Sequence, residues 1–481
     1  MADITLVNLN MLYVKFLDGK IMRQNHLALG PMYLVSALEN AGIDVDFRDY
    51  QMYESNEIFN LKNFLDFLKG PAPILGLSCM ANLLPFVLYA LPAIKERYPQ
   101  TKIVLGGVGT AAVENEILKR FPEVEIVHKG EGDNTVPRLV KALMQNQSIH
   151  DIPSISFREN GSIIHNEKSP RLTCLDDLSR PAYHRIDFSK YDGHNIMGSR
   201  GCPYPCTFCS ITPIWGWKAF SRTAENIINE IEYMHKEFGV EEFLFQDEYF
   251  VSSPKRTIEF CKLLKKRKLK IIFKVFARVD LVSKESMKAL GKAGCIEIRF
   301  GIESGSNKIL EAIKKGIKAE EGMEVLTKAK KYIPGVDAFY VWGYPFETMD
   351  DFSKTIFQMI TFRGMDINCL PSLLTYLPQT VLYQSIPNKD DMEFCPYLLP
   401  EYMVSGFEDR LSVRVNTDNE NAPLFNFIKQ NKDIFPGFFH LDIEENIIPK
   451  LEMLEQFGFY AKPEESCGAH SPSKVKMALN V

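Results

Sequence analysis

Gly201-Cys202-Pro203-Tyr204-Pro205-Cys206-Thr207-Phe208-Cys209 decides how the chain is read. Its three cysteines follow a C-x3-C-x2-C spacing and begin just past an apolar stretch, His194–Ser199, that reads as a β-strand. Three thiolates so close in sequence can converge on one metal centre, and cysteine thiolates are what hold iron–sulfur clusters. With three local thiols, a cubane cluster keeps one iron without a protein thiolate, open to an exogenous chelating ligand. Zinc is the competing reading, but a zinc site usually takes four protein ligands and favours C-x2-C pairs. A purely structural cysteine cluster explains less, because packing does not call for three adjacent free thiols after a strand.

Strand and helix alternate on both sides of this loop. Downstream, His194–Ser199, Glu242–Gln246, Ile271–Phe276, Ile296–Phe300, Asp337–Trp342 and Cys369–Tyr376 read as strands. Helices fit over Ala224–Glu237, Pro254–Lys266, Lys284–Lys292, Ala319–Lys330 and Met349–Phe362. Six βα units predict a parallel sheet, open or partly closed into a barrel, with functional residues just after its strands. Gln246-Asp247-Glu248, Arg278-Val279-Asp280, Gly301-Ile302-Glu303-Ser304-Gly305, Gly343-Tyr-Pro-Phe-Glu-Thr348 and Pro378-Gln-Thr380 fall there. Upstream, Ile4–Leu9, Ile43–Phe47, Ile74–Ser78, Lys102–Leu105 and Val124–His128 read as strands, with a helix over Leu29–Ala41. That alternation predicts a doubly wound parallel sheet, which binds ligands at the carboxyl ends of its strands. Gly106, Gly107, Gly109, Gly130 and Gly132 lie at those ends; alone they fit tight turns as readily as a ligand bed. No G-x-G-x-x-G opens the first βα turn, so the dinucleotide fingerprint is absent.

The expected division is residues 1–148 for the first α/β domain, 149–193 for a linker with a hairpin turn at Asn160-Gly161, 194–385 for the barrel, and 386–481 for a segment covering its mouth. That last segment is rich in Phe, Pro and Asn, with a helix near Ile443–Phe457 and a poorly ordered tail after Lys462. Its Phe407, Phe425, Phe427, Phe435, Phe438 and Phe439 read as core or as a substrate wall. A length of 481 residues fits two to four domains, and 46% apolar with 24% charged residues fits a globular chain. A net charge of −5 offers no basic excess for nucleic acid or an anionic membrane surface. Ten cysteines are too few for a disulfide framework and fit reduced cytosolic thiols. MADITLVNLN shows no signal peptide. The uncharged stretch Gly70–Ile94 is long enough to span a bilayer. Ser78, Asn82 and three prolines before Pro92 turn it instead into a buried strand followed by a helix.

The C-x3-C-x-aromatic-C pattern resembles the radical S-adenosylmethionine superfamily. The resemblance implies a partial (β/α)6 barrel in which Cys202, Cys206 and Cys209 hold a 4Fe–4S cluster. The amine and carboxylate of S-adenosylmethionine would chelate the fourth iron, and one electron would cleave the sulfonium to a 5′-deoxyadenosyl radical. It sets Phe208 beside the adenine, Glu303 and Ser304 at the methionine or ribose, Arg278 at the carboxylate, and Asp247 among the S-adenosylmethionine contacts. A buried Arg–Glu pair bracing the barrel is the plainer alternative. Phe346 departs from the family's G-x-P-G-E-T turn, and Gln379 from its P-G-T turn.

The order of parts, over residues 1–385, resembles the cobalamin-binding subgroup of that superfamily. Leu29-Gly30-Pro31, Gly76-Leu-Ser78, Leu105-Gly-Gly107, Gly130-Glu-Gly-Asp133, Arg180-Pro-Ala-Tyr183 and Tyr191 carry the likeness. It implies a cobalamin bed at Ser78, Gly106, Gly107, Gly130 and Glu131. The cobalt-ligating D-x-H-x-x-G motif is absent, since Asp192-Gly-His194 is followed by Met197 where glycine belongs. His26, His128 and His184 are pocket candidates only, and Tyr340, Tyr344 and Tyr376 are undifferentiated late-step donors. The implied activity is cobalamin-dependent methylation of an unactivated carbon in a small-molecule or peptide substrate. The partner is an external electron donor of flavodoxin or ferredoxin type, in the cytoplasm, without nucleic acid or membrane. A non-methylating radical reaction (cyclisation, rearrangement or dehydration) and a non-catalytic metal-binding module remain as alternatives.

Overall fold

A computed structural model of the chain describes residues 2–9, 12–15, 21–55, 57–395 and 422–460. Phe407 and the tail after Lys462 lie outside them. Two sheets organise the rest. The first has seven strands in the order Val45–Asp49, Ile4–Asn8, Ile74–Ser78, Lys102–Gly106, Val124–His128, Ile155–Glu159 and Ser162–His165. The first five run parallel, in register Ile4↔Val45, Ile4↔Ile74 and Ile74↔Lys102. Their side chains alternate between two cores. Ile4, Leu6, Val104 and Ile126 face Val35, Leu38, Leu139 and Val140, while Val7, Leu75, Leu77 and Ile103 face Leu84, Leu88 and Leu91. Burial on both faces explains the unbroken apolar strands.

Gly70–Ile94 resolves as expected into the strand Ile74–Ser78 and the helix Leu84–Arg97. Among the described residues no helix is long and apolar enough to cross a membrane. Two features differ from the sequence reading. The hairpin at Asn160-Gly161 is part of the first sheet, because Ile155 and Phe157 pair antiparallel with Val124–His128 and bury in its core. A second hairpin, Leu12–Lys15 with Ile21–Gln24, carries no turn signal that the sequence reading used.

The second sheet has six parallel strands in chain order: Asn195–Ile196, Glu242–Phe245, Ile272–Ala277, Cys295–Glu303, Gly335–Trp342 and Asn368–Leu373. Its two outer strands do not pair with each other, so the barrel stays open. The first strand is cut to two residues. Asp247 takes the Gly198 N–H at 2.9 Å and the Ser199 hydroxyl, and Arg222 donates to the Met197 carbonyl at 2.7 Å, drawing the chain off the ladder. Ser199–Arg200 then pairs antiparallel with Phe220–Ser221. Return helices start on side-chain caps, Thr223 before Ala224–Phe238, Ser253 before Pro254–Lys266 and Thr348 before Met349–Gly364.

The C-terminal residues bridge both halves. Phe427 packs edge-on to Tyr89 and Phe121, and Arg120 donates to Asn431 at 3.1 Å. Lys450 donates to the Glu347 carbonyl at 2.7 Å, and Tyr460 to the Pro371 carbonyl at 2.9 Å. The expected helix near Ile443–Phe457 opens with a π-helical turn, Ile443–Ile447, before Ile448–Gln456.

Candidate functional site

The carboxyl ends of both sheets face one cavity of about 320 Å3. Ser78, Gly106, Gly107, Gly130 and Glu131 line it from the first sheet; Met197, Arg200, Gln246 and Glu248 line it from the second. Its inner end is apolar, between Ile4, Leu6, Val104, Leu139 and Val140. The glycines divide into two kinds. A Cβ on Gly106 or Gly130 would meet nothing within 4 Å, so both leave open space for a ligand. A Cβ on Gly107 would collide with the Cys79 carbonyl, and one on Gly109 with the Met80 backbone. Those two glycines are needed by a crossing of loops. Glu131 is drawn into ion pairs with Arg171 Nε at 2.9 Å and Arg200 at 3.4 Å, and accepts the Leu172 N–H at 2.9 Å. Arg200 also pairs with Asp133 at 2.8 Å, which ties the cysteine-bearing half to the first sheet.

Of the three histidines considered, only His128 lines the cavity. Its Nε2 lies 2.6 Å from the Thr135 hydroxyl, and burial pushes its pKa down to about 4. His26 is wedged against Gly193, and His184 pairs with Glu39 at the surface.

The cysteine loop is half-buried and anchored by its backbone. Thr212 donates to the Tyr204 carbonyl at 2.9 Å, and the Thr207 N–H to the Ile313 carbonyl at 3.0 Å. Gly201 sits at φ +94°, where a Cβ would strike the Lys218 carbonyl. Burial raises all three thiols, Cys209 to about 12, and each of Cys202 and Cys206 acts electrostatically on Cys209. Such thiols become thiolates only against compensating positive charge, which a metal centre supplies. Among the described residues no three His, Cys, Asp or Glu side chains converge on one ion-sized point.

Around the loop lie the strand-end side chains. The Arg278 guanidinium stacks 3.5 Å over the Tyr204 ring, pairs with Asp280 at 3.0 Å and donates to the Lys315 carbonyl at 2.9 Å. Glu303 has a left-handed backbone, φ +67°, uncommon for a residue with a Cβ, and its carboxylate takes a buried 2.7 Å ion pair from Lys315. Phe208 meets Tyr344 edge-on with ring centres 6.1 Å apart. Two expected contacts are engaged otherwise. Asp247, raised to about 6 by burial, holds Gly198 and Ser199, and the Ser304 hydroxyl lies between Thr355 Oγ1 and the Ser306 N–H.

Two residues stand out to which the sequence reading gave no role. Glu248 lines the cavity beside Asp247, raised to about 7 by burial. Lys315 was hidden in Lys314-Lys315, a pair that reads as a solvated face. The three candidate tyrosines separate: Tyr340 donates to Gln358 at 2.8 Å, whereas the fully buried Tyr344 hydroxyl, near Glu303 and Cys206, has no partner among the described residues. Tyr376 lines a second cavity.

Residues 196–359 match the model of the radical SAM superfamily, and residues 22–140 that of the B12 binding domain. The chain belongs to the radical S-adenosylmethionine superfamily and carries a B12-binding domain. Membership implies a 4Fe–4S cluster and S-adenosylmethionine, and the second domain implies cobalamin. An uncharacterized methyltransferase of Pyrococcus horikoshii is 30% identical over 259 residues, 53% of this chain and 56% of the relative. The anaerobic magnesium-protoporphyrin IX monomethyl ester cyclase of Synechocystis is 25% identical, over 60% of this chain and 59% of the cyclase. The chain thus spans under three-fifths of the length of these family relatives. The structure of TsrM from Kitasatospora setae, with cobalamin and a [4Fe-4S] cluster bound, superposes with a TM-score of 0.65 at 15% identity, covering 85% of this chain and 86% of that one. That likeness is one of fold.

Proposed function

We propose that the chain is a cobalamin-dependent radical S-adenosylmethionine methyltransferase acting on an unactivated carbon of a small-molecule or peptide substrate. The observation that carries this reading is the cavity shared by the two sheets, with Ser199 and Arg200, which lead into the cysteine loop, on one side and open glycines on the other. In this reading residues 1–148 form the cobalamin-binding domain, 149–193 the linker, whose hairpin to His165 completes the first sheet, 194–385 the barrel and 386–481 the covering segment. Cys202, Cys206 and Cys209 would hold the cluster, and Ser78, Gly106 and Gly130 would bed the cobalamin. When bound, these groups supply reductive cleavage of S-adenosylmethionine, a hydrogen-abstracting radical and a transferable methyl group.

The chain's own residues do the positioning. Arg278 and Lys315 bring two cations beside Cys206, where they offset thiolate charge. Lys315 pairs with Glu303, whose backbone is left-handed, and the carboxylate so held would meet the polar groups of S-adenosylmethionine. Asp247 keeps the start of the cluster loop off the barrel ladder and so sets where Cys202 begins. Lys450 ties the C-terminal helix to the turn after the fifth strand, and Tyr460 ties its end to the sixth strand at Pro371. A one-electron donor of flavodoxin or ferredoxin type would reach the chain in the cytoplasm.

The named cyclase relative favours a second reading, the same radical start without methyl transfer. Anaerobic purification with added cobalamin, counts of iron, sulfide and cobalt, and quantification of 5′-deoxyadenosine test both. About four irons with stoichiometric cobalt and deoxyadenosine support the methyltransferase. Four irons and deoxyadenosine without cobalt move the assignment to the non-methylating reaction, and zinc alone removes the radical assignment.

A further inference from the structure

A second cavity, of about 230 Å3, lies beside the first and shares Val108 with it. Three parts of the chain wall it: the turns after Ser78 and Gly106, Ser210 directly after Cys209, and the residues after the sixth barrel strand with Ile434–Phe438. It therefore lies between the glycine bed and the cysteine loop, where a substrate carbon has to sit if both cofactors are to act on it.

The two cavities differ in charge. Lys129, Glu131, Asp133, Arg200 and Glu248 line the first. Among the described residues no Asp, Glu, Lys, Arg or His lines the second, whose body is apolar, with Leu84, Phe435 and Phe438 among its walls. Its polar content is four neutral side chains: Asn82, Ser210, Tyr376 and Gln379. Three of these, Asn82, Tyr376 and Gln379, are buried, yet none of the four side chains makes a hydrogen bond among the described residues. Nor are their polar atoms among the sealed, orphaned ones, so they remain reachable from the cavity. These amides and hydroxyls are therefore free to pair with a ligand that enters the cavity.

We propose that this cavity seats the substrate, and that the part it takes is uncharged and largely apolar, bearing amide- or hydroxyl-type groups. The proposal rests on the enzyme reading above and adds the substrate class. Asn82 and Gln379 each offer a donor and an acceptor, and the Tyr376 and Ser210 hydroxyls can turn either way. An ammonium or carboxylate would lose its hydration here and find no opposite charge.

Calorimetric titration of the full-length, cluster-reconstituted chain with 2-phenylacetamide, phenylacetate and 2-phenylethylamine tests the class. The amide should bind about tenfold or more tighter than either ion, because the ions bury unpaired charge. Tyr376→Phe, which removes one hydroxyl and keeps the ring, should weaken the amide about three- to tenfold. Ala81→Phe, which fills the cavity, should abolish binding, with thermal melting confirming that the variant folds. Equal or tighter binding of an ion, an amide affinity unmoved by both variants, or no amide binding would each overturn the proposal. Deoxyadenosine and cobalt measured on the same preparations report separately on the enzyme reading. Neutral selectivity without deoxyadenosine defeats the enzyme reading, and deoxyadenosine without neutral selectivity defeats the substrate class.

Discussion

The carboxyl edges of the two sheets face the same space with different means of holding what lies between them. The first edge is made of backbone and small residues: Ser78, Gly106 and Gly130, with the ion pairs of Glu131 and Asp133 spent on joining the halves. The second is made of reactive and charged side chains: three thiols, Arg278, Glu303 and Lys315. One edge fits by shape, since a wide flat ligand needs bulk removed. The other fits by charge and coordination, since a cluster and a sulfonium amino acid need ligands and counter-ions. Function at the first edge should therefore tolerate polar change and fail on added volume, and the second should do the reverse.

The largest expected effect is at the thiols. Cys206→Ser should lower iron from about four per chain toward zero and cut deoxyadenosine formation by about three orders of magnitude or more, with cobalt retention unchanged. Loss of both metals together would mean that the edges are not independent. Next comes volume. Gly106→Leu grows into space where a Cβ meets nothing within 4 Å. Cobalt retention should fall about tenfold or more, with iron and melting temperature intact. Gly107→Ala should act through the fold instead, because its Cβ meets the Cys79 backbone. If both glycine variants lose cobalt equally and melt alike, the division between ligand-facing and fold-forming glycines is wrong.

A smaller effect separates the tyrosines. Tyr344→Phe removes a buried hydroxyl that has no partner among the described residues. The loss should weaken S-adenosylmethionine binding about three- to tenfold, read by equilibrium dialysis without turnover. Tyr340→Phe breaks the bond to Gln358 and should lower melting temperature while leaving that affinity alone. The opposite pattern would move the cofactor-facing role from Tyr344 to Tyr340.

What the sequence made legible follows the same contrast. The thiol spacing, the continuous apolar strands and the glycine positions are local patterns, and both sheets, their parallel sense and their edges could be read from them. The partners of charged side chains could not. Asp247 and Ser304 sit in the motifs that the resemblance singled out, yet their oxygens are taken by Gly198, Ser199, Thr355 and Ser306, residues up to 51 positions away. Lys315 reaches Glu303 only because the chain turns back after the fourth barrel strand. The hairpin at Asn160-Gly161 was visible as a turn, but its pairing with Val124–His128 depends on which edge of the sheet is left free.

The smallest expected effect compares two buried imidazoles, one near each edge. His128 keeps a hydrogen bond to Thr135, and burial lowers it to about 4. His440, whose ring lies 5.6 Å from that of Tyr376, has both nitrogens unpartnered among the described residues, and burial lowers it to about 3. Both folded values lie below the ordinary 6.5, so the unfolded chain binds a proton that the folded one resists. Stability from each is therefore full above about pH 6.5 and is lost as pH falls toward the folded value, by about 2 kcal/mol per histidine at pH 5. Asp247 and Glu248, raised to about 6 and about 7, work the other way, because protonation of a buried carboxyl favours the folded state. The total curve mixes these terms, and only a difference between variants isolates one. His440→Phe keeps an aromatic ring against Tyr376 and removes the proton site. Its melting temperature relative to the parent should rise steadily from pH 7 to pH 5, while His128→Asn should do so only after an initial loss from the Thr135 bond. Parallel curves for His440→Phe and the parent would mean that the imidazole titrates in the folded chain as it does in the unfolded one. The second cavity would then have a titrating group behind its Tyr376 wall, and the contrast between a charged first cavity and an uncharged second one would fail.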